Sequence, residues 1–178
     1  FTLLVFYSSS HVFFWDTIQL GSKQAHFFFE NNFQYLLLPN EFDSGHIPSF
    51  GIYLALLWKL FGKTLFFSHL AMLPFVWGIV WQSYILIKRF IPKKFIGIAL
   101  LIFLADPTLL SQMTLVSPDV PLVFFFLLAL NANLKNQRWF LMLALAELTK
   151  RFGRVTTMAA IASLATRIIR PGRLYSVF

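Results

Sequence analysis

The chain has 178 residues, of which 58% are hydrophobic and 12% charged, with 23 Phe, no Cys and a mean hydropathy of +0.70. This composition excludes an ordinary soluble domain, because too few polar residues remain to cover a core, and the lack of cysteine excludes disulfides and thiolate metal sites. The formal net charge of +8 fits the positive-inside bias of membrane proteins better than nucleic-acid binding, since the basic residues lie between apolar runs and form no single face.

Residues 1–14, FTLLVFYSSSHVFF, predict the outer part of a first membrane helix, because they number fewer than the roughly 20 residues that a span needs. The chain starts inside an apolar run, without an initiator Met or a basic n-region. We therefore expect a fragment or a trimmed chain, and not a signal peptide.

Residues 15–48 are the polar stretch of this apolar chain, with four of its seven acidic residues and two of its four histidines. Their spacing predicts a helix with an apolar stripe beside a charged stripe, which is typical of a helix in the membrane interface. Gly21 weakens this helix and allows a break there. The apolar stripe holds Trp15, Ile18, Ser22, Ala25 and Phe29, and the charged stripe holds Asp16, Gln19, Lys23, His26 and Glu30.

The remaining apolar runs predict membrane helices of unequal length. Residues 49–62 number only about 14, which favours an interfacial or re-entrant helix over a full span. Residues 65–87 predict a span with Pro74 as a tolerated kink, and residues 95–115 predict another that contains Asp106-Pro107. Apolar runs follow at 120–134 and 139–148, and the weakly apolar tail from residue 158 predicts no full span.

The basic loops predict which segments share a face of the membrane. The loops at 88–94 and 135–138 are both basic and are separated by two predicted spans, so both are expected on the cytoplasmic side. Asp119 then lies outside, and so does Asp16 if residues 49–62 do not cross. If residues 49–62 do cross, the two aspartates lie on opposite faces.

Asp16 is the candidate for a catalytic base, because a carboxylate at the lip of the first helix can accept a proton from an incoming hydroxyl. The alternative is that Asp16 caps the interfacial helix, with Gln19 completing a capping box. Glu41, Asp43 and His46 offer oxygen and nitrogen ligands for a divalent cation, although a solvated loop is the simpler interpretation because E-x-D-x-x-H fixes no metal geometry.

Asp106 and Asp119 lie at the outer ends of neighbouring predicted helices. Ionisable groups near membrane depth are energetically costly, so a functional role is the default expectation for both. Asp119 could equally cap a helix that begins at Val120, in the sequence S-P-D-V-P.

Three further basic or imidazole side chains have ordinary interpretations beside functional ones. His26 and Glu30 are one helical turn apart and could form a surface pair. His69 lies within a predicted span and is expected to be a hydrogen-bonded packing residue. Lys150 could meet a lipid phosphate as a point charge or serve as an ordinary cytoplasmic anchor.

Four sequence features occur in a fixed order: an aspartate after the first helix, a short helix ending in LFG, a span ending in a basic pair, and an aspartate at the outward end of a helix. They stand as WDTIQLGSKQAHFFFENN, GHIPSFGIYLALLWKLFGK, ILIKRF and DPTLLSQMTLVSPDVPLVFFFLLAL, followed by LALAELTK. In this order the chain resembles the membrane-embedded C-type glycosyltransferases, above all the protein O-mannosyltransferases and lipid A aminoarabinose transferases, over residues 10 to about 150.

The resemblance implies a transferase that takes a sugar from a polyprenyl-phosphate carrier and passes it to a glycan, lipid or protein acceptor on the outer face of the membrane. It implies that Asp16 is the base, that His46 approaches the donor phosphate and that Lys150 serves the same anion. A divalent metal remains open. Thr17 departs from many relatives, which have glutamate there, so a second carboxylate comes from elsewhere or is not needed.

We therefore predict an all-α, polytopic transmembrane bundle with an interfacial helix and a short re-entrant helix in its first external loop. Residues 1–150 are expected to be the N-terminal part of a C-type domain and residues 151–178 a poorly matching basic tail, in a bacterial inner membrane with the active face outside. Relatives are much longer, so this piece alone is expected to be inactive. The alternatives are a transporter or channel fragment, whose charges usually lie near the midplane, and a non-catalytic subunit of envelope-polysaccharide assembly.

Overall fold

The computed structural model describes residues 1–35, 37–43 and 48–135, and of Asp16 and Leu20 it describes the backbone. These residues form helices and no strand, which confirms the all-α prediction. The α-helices are α1 (Thr2–Ser8), α2 (Trp15–Thr17), α3 (Lys23–Glu30), α4 (Ser49–Phe61), α5 (Leu65–Leu70), α6 (Leu73–Phe90), α7 (Ile96–Leu104), α8 (Pro107–Met113) and α9 (Asp119–Leu134).

The chain divides into two units, Phe1–Phe124 and Phe125–Phe178. The first unit holds α1 to α8 and the start of α9. Of the second unit, the structure describes residues 125–135. The predicted run at 139–148, the domain boundary at 150 and the tail lie outside the described residues.

The predicted interfacial helix runs from Trp15 to Glu30 without a break. A π-helical turn, Ile18–Ser22, joins α2 to α3, so Gly21 widens the helix and does not end it. Within the predicted apolar stripe, Trp15 and Ile18 are exposed, whereas Ser22 and Ala25 are buried. The buried face of this helix includes those two residues and otherwise consists of Thr17, Gly21, Gln24, Phe27 and Phe28.

Helix α4 packs against α3 at a close approach between backbones. A Cβ built on Gly51 would lie 2.6 Å from the Gln24 Cβ, and one on Gly21 would lie 2.8 Å from the Phe50 ring. Because α4 has 13 residues, it is about 20 Å long, well short of a hydrocarbon core of roughly 30 Å. The prediction of a short helix at 49–62 is confirmed.

Within the described residues, Leu65–Phe90 is the helical segment that is long and apolar enough to cross a membrane, with 26 residues. It comprises α5 and α6, joined at Ala71. Pro74 lies in the first turn of α6, where its missing N–H breaks no helical hydrogen bond. His69 is buried with Nδ1 2.9 Å from the Leu65 carbonyl oxygen, which confirms its prediction as a hydrogen-bonded packing residue.

The predicted span over residues 95–115 is broken in the structure at Asp106-Pro107. The helical segment Lys93–Leu104, which contains α7, is bent by 67° relative to α8. The two helices are long and apolar enough to cross a membrane only when they are counted together as one bent segment. Pro107 disfavours helical backbone at the preceding residue, and Asp106 accordingly has ψ of 124°. The Asp106 carboxylate then caps α8 by accepting the N–H of Leu109 at 2.9 Å.

Candidate functional site

Asp16 lies in the first turn of the helix that runs from Trp15 to Glu30. The N-cap residue is Phe14, whose backbone is extended, so Asp16 occupies the second helical position. The predicted Asp16–Gln19 capping box is therefore wrong, because the helix begins at Trp15, two residues earlier than that prediction requires. An acidic residue in the first turn is favourable for the helix dipole.

Thr17 joins this turn to a distant part of the chain. Its Oγ1 donates a hydrogen bond of 2.7 Å to the carbonyl oxygen of Val116, across 99 positions of sequence. The Thr17 side chain is 1% exposed and Val116 is buried as well. The turn that carries Asp16 is therefore held at the segment that leads into α9.

Asp119 begins α9, three residues after Val116. The hydroxyl oxygen of Ser117 accepts the backbone N–H of Asp119 at 3.2 Å, just where the helix begins. The alternative in which Asp119 caps a helix from Val120 is wrong, because Asp119 is itself the first residue of α9. The Asp119 side chain is exposed.

An open cavity of about 560 Å³ lies beside α7, α8 and the first turns of α9, within the range of small-molecule sites of roughly 300–1,000 Å³. Its lining is mostly apolar or neutral, with two carboxylates. The lining residues are Ile102, Phe103, Asp106, Thr108, Leu109, Gln112, Asp119, Val120 and Val123. Asp106 and Asp119, two of the four predicted supporting acids, thus line the same cavity.

Glu41 and Asp43 lie in an exposed turn after α3. Between them, Phe42 packs on the Phe27 ring with centroids 5.1 Å apart, and the Asp43 N–H donates to the Pro39 carbonyl oxygen at 3.1 Å. The described lining of the cavity includes neither acid. The loop is therefore tied to α3, and its carboxylates are not brought to Asp106 and Asp119.

The predicted phosphate ligands, His46 and Lys150, lie outside the described residues. The metal cluster of Glu41, Asp43 and His46 is therefore described only in part. In the described ranges, no three His, Asp or Glu side chains come together as a metal site.

The predicted surface pair of His26 and Glu30 is wrong. Glu30 instead pairs with Lys63 at 3.8 Å, and the His26 ring packs on Trp58 with centroids 5.0 Å apart. Its Nδ1 is buried and has no hydrogen-bond partner among the described residues. Burial lowers the pKa of His26, the Lys63 ammonium lowers this pKa further, and the Glu30 carboxylate opposes both effects.

Sequence reasoning missed Thr17 as a contributor to this site. The signal was present in its spacing, since Thr17, Gly21, Gln24 and Phe28 follow i, i+4, i+7, i+11 along one helical face, and all four are buried. Its partner could not be read from the sequence, because the acceptor is a backbone carbonyl 99 positions away. No protein-family model, curated protein or solved structure matches this chain.

Proposed function

We propose that the chain belongs to an integral-membrane glycosyltransferase with a C-type, polytopic bundle. The enzyme transfers a sugar from a polyprenyl-phosphate donor to an acceptor on the outer face of the membrane. A buried core helix of a soluble protein would compete with the membrane interpretation, but only 33% of the most apolar window in Leu65–Phe90 is buried. Helix α7 supports the same interpretation, because Ile98, Leu101 and Ile102 are each at least 60% exposed.

The hydrogen bond from Thr17 to Val116 is the observation that carries this proposal. It holds the turn of Asp16 beside the segment that ends at Asp119, and Asp119 and Asp106 line one mostly apolar cavity. The turn that carries Asp16 is thus tied by its backbone neighbour to the segment leading into α9, and the cavity lined by Asp106 and Asp119 would suit an apolar substrate. A transporter would more often place its charges near the middle of its spans.

In the proposed reaction, the Asp16 carboxylate removes the proton from the acceptor hydroxyl. The hydroxyl oxygen forms a bond to the anomeric carbon, and the bond from that carbon to the donor phosphate breaks with inversion of configuration. The lipid phosphate leaves with the bonding electron pair, and the proton ends on Asp16. Cationic groups near the leaving phosphate would lower the barrier, and His46 and Lys150 are the proposed groups.

A divalent metal could also stabilise the leaving phosphate in such a reaction. Asp106 and Asp119 supply two carboxylates to the cavity, but a third metal-ligating side chain does not join them among the described residues. These residues do not make up a cation site, and we assign no step to a metal.

The test replaces Asp16 by Asn in the protein expressed at full length, with membranes incubated with radiolabelled polyprenyl-phosphate sugars. Because Asn cannot accept the proton, transfer is expected to fall by about 10²- to 10⁴-fold while membrane insertion is retained. The matched control is Glu30→Gln, which changes a carboxylate of the same helix that pairs with Lys63. This control is expected to keep its transfer rate.

Full transfer by a correctly inserted Asp16→Asn protein would remove Asp16 from the mechanism. If the wild-type protein is inserted but transfers sugar from none of the donors, the transferase proposal fails. Uptake of labelled solute by vesicles containing that protein would then indicate a transporter, and loss of envelope polysaccharide without either activity would indicate an assembly subunit.

A further inference from the structure

We propose that Thr17 is a positioning residue whose buried hydroxyl holds the turn of Asp16 at the segment that leads into α9. This inference rests on the proposed function, since it assigns Thr17 a role in the reaction of Asp16. It differs from that function because it concerns a side chain that would touch neither sugar nor phosphate. The bond to Val116 carries the inference.

The segment around Asp16 has little rigidity of its own. Helix α2 has three residues, and the π-helical turn Ile18–Ser22 follows it directly. A single short helix is marginal without tertiary contacts, so the position of Asp16 depends on what anchors its neighbours. Thr17 anchors the segment at its beginning, and Gly21 anchors the π-helical turn against the Phe50 ring.

The Thr17 hydroxyl does what no carboxylate could do at this position. The acceptor is the Val116 carbonyl oxygen, which requires a donor, and an ionised carboxylate only accepts hydrogen bonds. Burial also raises the free-energy cost of losing this hydrogen bond. Thr17 is 1% exposed, so water cannot replace the lost donor without entering the packed contact. Thr17 thus fixes the position of the turn through a neutral donor and adds no charge to it.

Three substitutions separate the hydroxyl from the shape of the side chain. Thr17→Val keeps the branched shape and removes the donor. Thr17→Ser keeps the donor and removes a methyl group. Thr17→Cys offers a weaker donor and, because this chain has no other cysteine, a thiol whose reactivity reports burial.

The experiment measures kcat and KM for transfer from a labelled polyprenyl-phosphate sugar by the full-length protein in membranes. We expect Thr17→Val to lower kcat by about 10- to 100-fold with KM nearly unchanged, because a small displacement of the base affects the reaction more than binding. Thr17→Ser should stay close to the wild type. The pH profile of kcat should keep its shape in both, since the base itself is unchanged.

Hydrogen exchange on the same proteins gives a readout that is independent of activity. In Thr17→Val, the amides of Trp15–Thr17 and Ile18–Ser22 should exchange faster, whereas those of α6 should be unchanged. If Thr17→Val does not insert, Thr17→Cys carries the test. A kcat that is measurable but lower than in Thr17→Ser and in wild type, together with a thiol that maleimide does not modify, supports the role.

The outcomes separate this inference from the proposed function. Equal kcat in Thr17→Val and wild type would overturn the positioning role and leave the transferase standing. An equal loss in Thr17→Ser and Thr17→Val would overturn it too, because Ser retains the hydroxyl. A freely reactive thiol in an active Thr17→Cys protein overturns the burial on which the role depends. If the inserted wild-type protein transfers no sugar, the proposed function fails first and the role fails with it.

Discussion

Helices α4 and α7 are both strongly apolar, yet they use their apolar surface in different ways. Helix α4 buries Phe50, Leu54, Ala55 and Trp58 against its neighbours, and the Trp58 Nε1 donates to the Ser68 hydroxyl oxygen at 2.8 Å. Helix α7 buries Leu104, its last residue, and no other. The position of α4 is therefore fixed by contacts within the chain.

The apolar surface of α7 has no comparable cover in the described part of the chain. Leu101 and Ile102 are each 69% exposed, and a Cβ added to Gly97 would meet no atom within 4 Å. In the proposed membrane protein, lipid would cover this surface. Apolar composition alone does not distinguish these two situations, and only the packing of each helix does.

The largest expected effect comes from placing a charge on the exposed surface of α7. If α7 lies in lipid as proposed, Leu101→Asp should disfavour membrane insertion by about 2.5–3.5 kcal/mol, the cost of a central carboxylate in a spanning helix. A residue exposed to water would tolerate the same change within about 0.5 kcal/mol. The measurement is the fraction of chains integrated into microsomal membranes.

Leu101→Ala is the matched control for that prediction, because it removes the same apolar side chain without adding a charge. It should leave most chains integrated. Equal integration of Leu101→Asp, Leu101→Ala and wild type would contradict a lipid-facing α7.

A pair of glycine substitutions should separate the two helices by the sign of the effect. Gly51→Ala is expected to destabilise the protein by about 1–3 kcal/mol, because its new methyl group would overlap the Gln24 Cβ at 2.6 Å. Gly97→Ala should stabilise it by about 0.5–1 kcal/mol, since alanine is the better helix former and the space is open. Unfolding in mixed detergent micelles, followed by circular dichroism, measures both.

The two glycine variants also serve as controls for each other, because each adds one methyl group to an apolar helix. Destabilisation of similar size in both would mean that α3 and α4 do not approach each other more closely at Gly51 than helices ordinarily do. Stabilisation by Gly51→Ala would contradict the described approach of the two backbones.

The sequence was sufficient for features that depend on local length and composition. The shortness of α4 and the helical nature of the polar segment are both confirmed, and so is the packing role of His69. Caps were harder to predict, because competing residues stand side by side. At the start of α9, Ser117 and Asp119 are both residue types that cap helices, and in the structure Asp119 lies inside the helix while the Ser117 hydroxyl oxygen accepts its N–H.

Features that depend on an irregular backbone or on distant contacts were not predictable in the same way. The π-helical turn Ile18–Ser22 was not predicted, since Gly21 indicated only a weaker helix or a break. The basic loops predicted that Asp16 and Asp119 share a side of the membrane only if residues 49–62 do not cross. The bond from Thr17 to Val116 required the fold itself, because nothing local specifies that acceptor.

The smallest expected effect is a pH dependence of the packed region around α3 and α4, which α7 lacks because it has no titratable side chain. The folded pKa of His26 is lowered by burial and by Lys63, so the unfolded chain binds the proton more readily. The associated stability is complete above the unfolded pKa of about 6.5 and is lost as the pH falls through the folded pKa.

Detergent unfolding between pH 7.5 and pH 4.5 should show this decline. His26→Phe should remove this contribution. Lys63→Gln should make the decline smaller and end it at a higher pH, because the folded pKa of His26 moves closer to the unfolded value when one of the two causes that lower it is gone. A wild-type protein that gained stability as the pH fell below 6.5, by an increment that His26→Phe abolished, would reverse the sign and imply that the imidazolium ion is favoured beside Trp58.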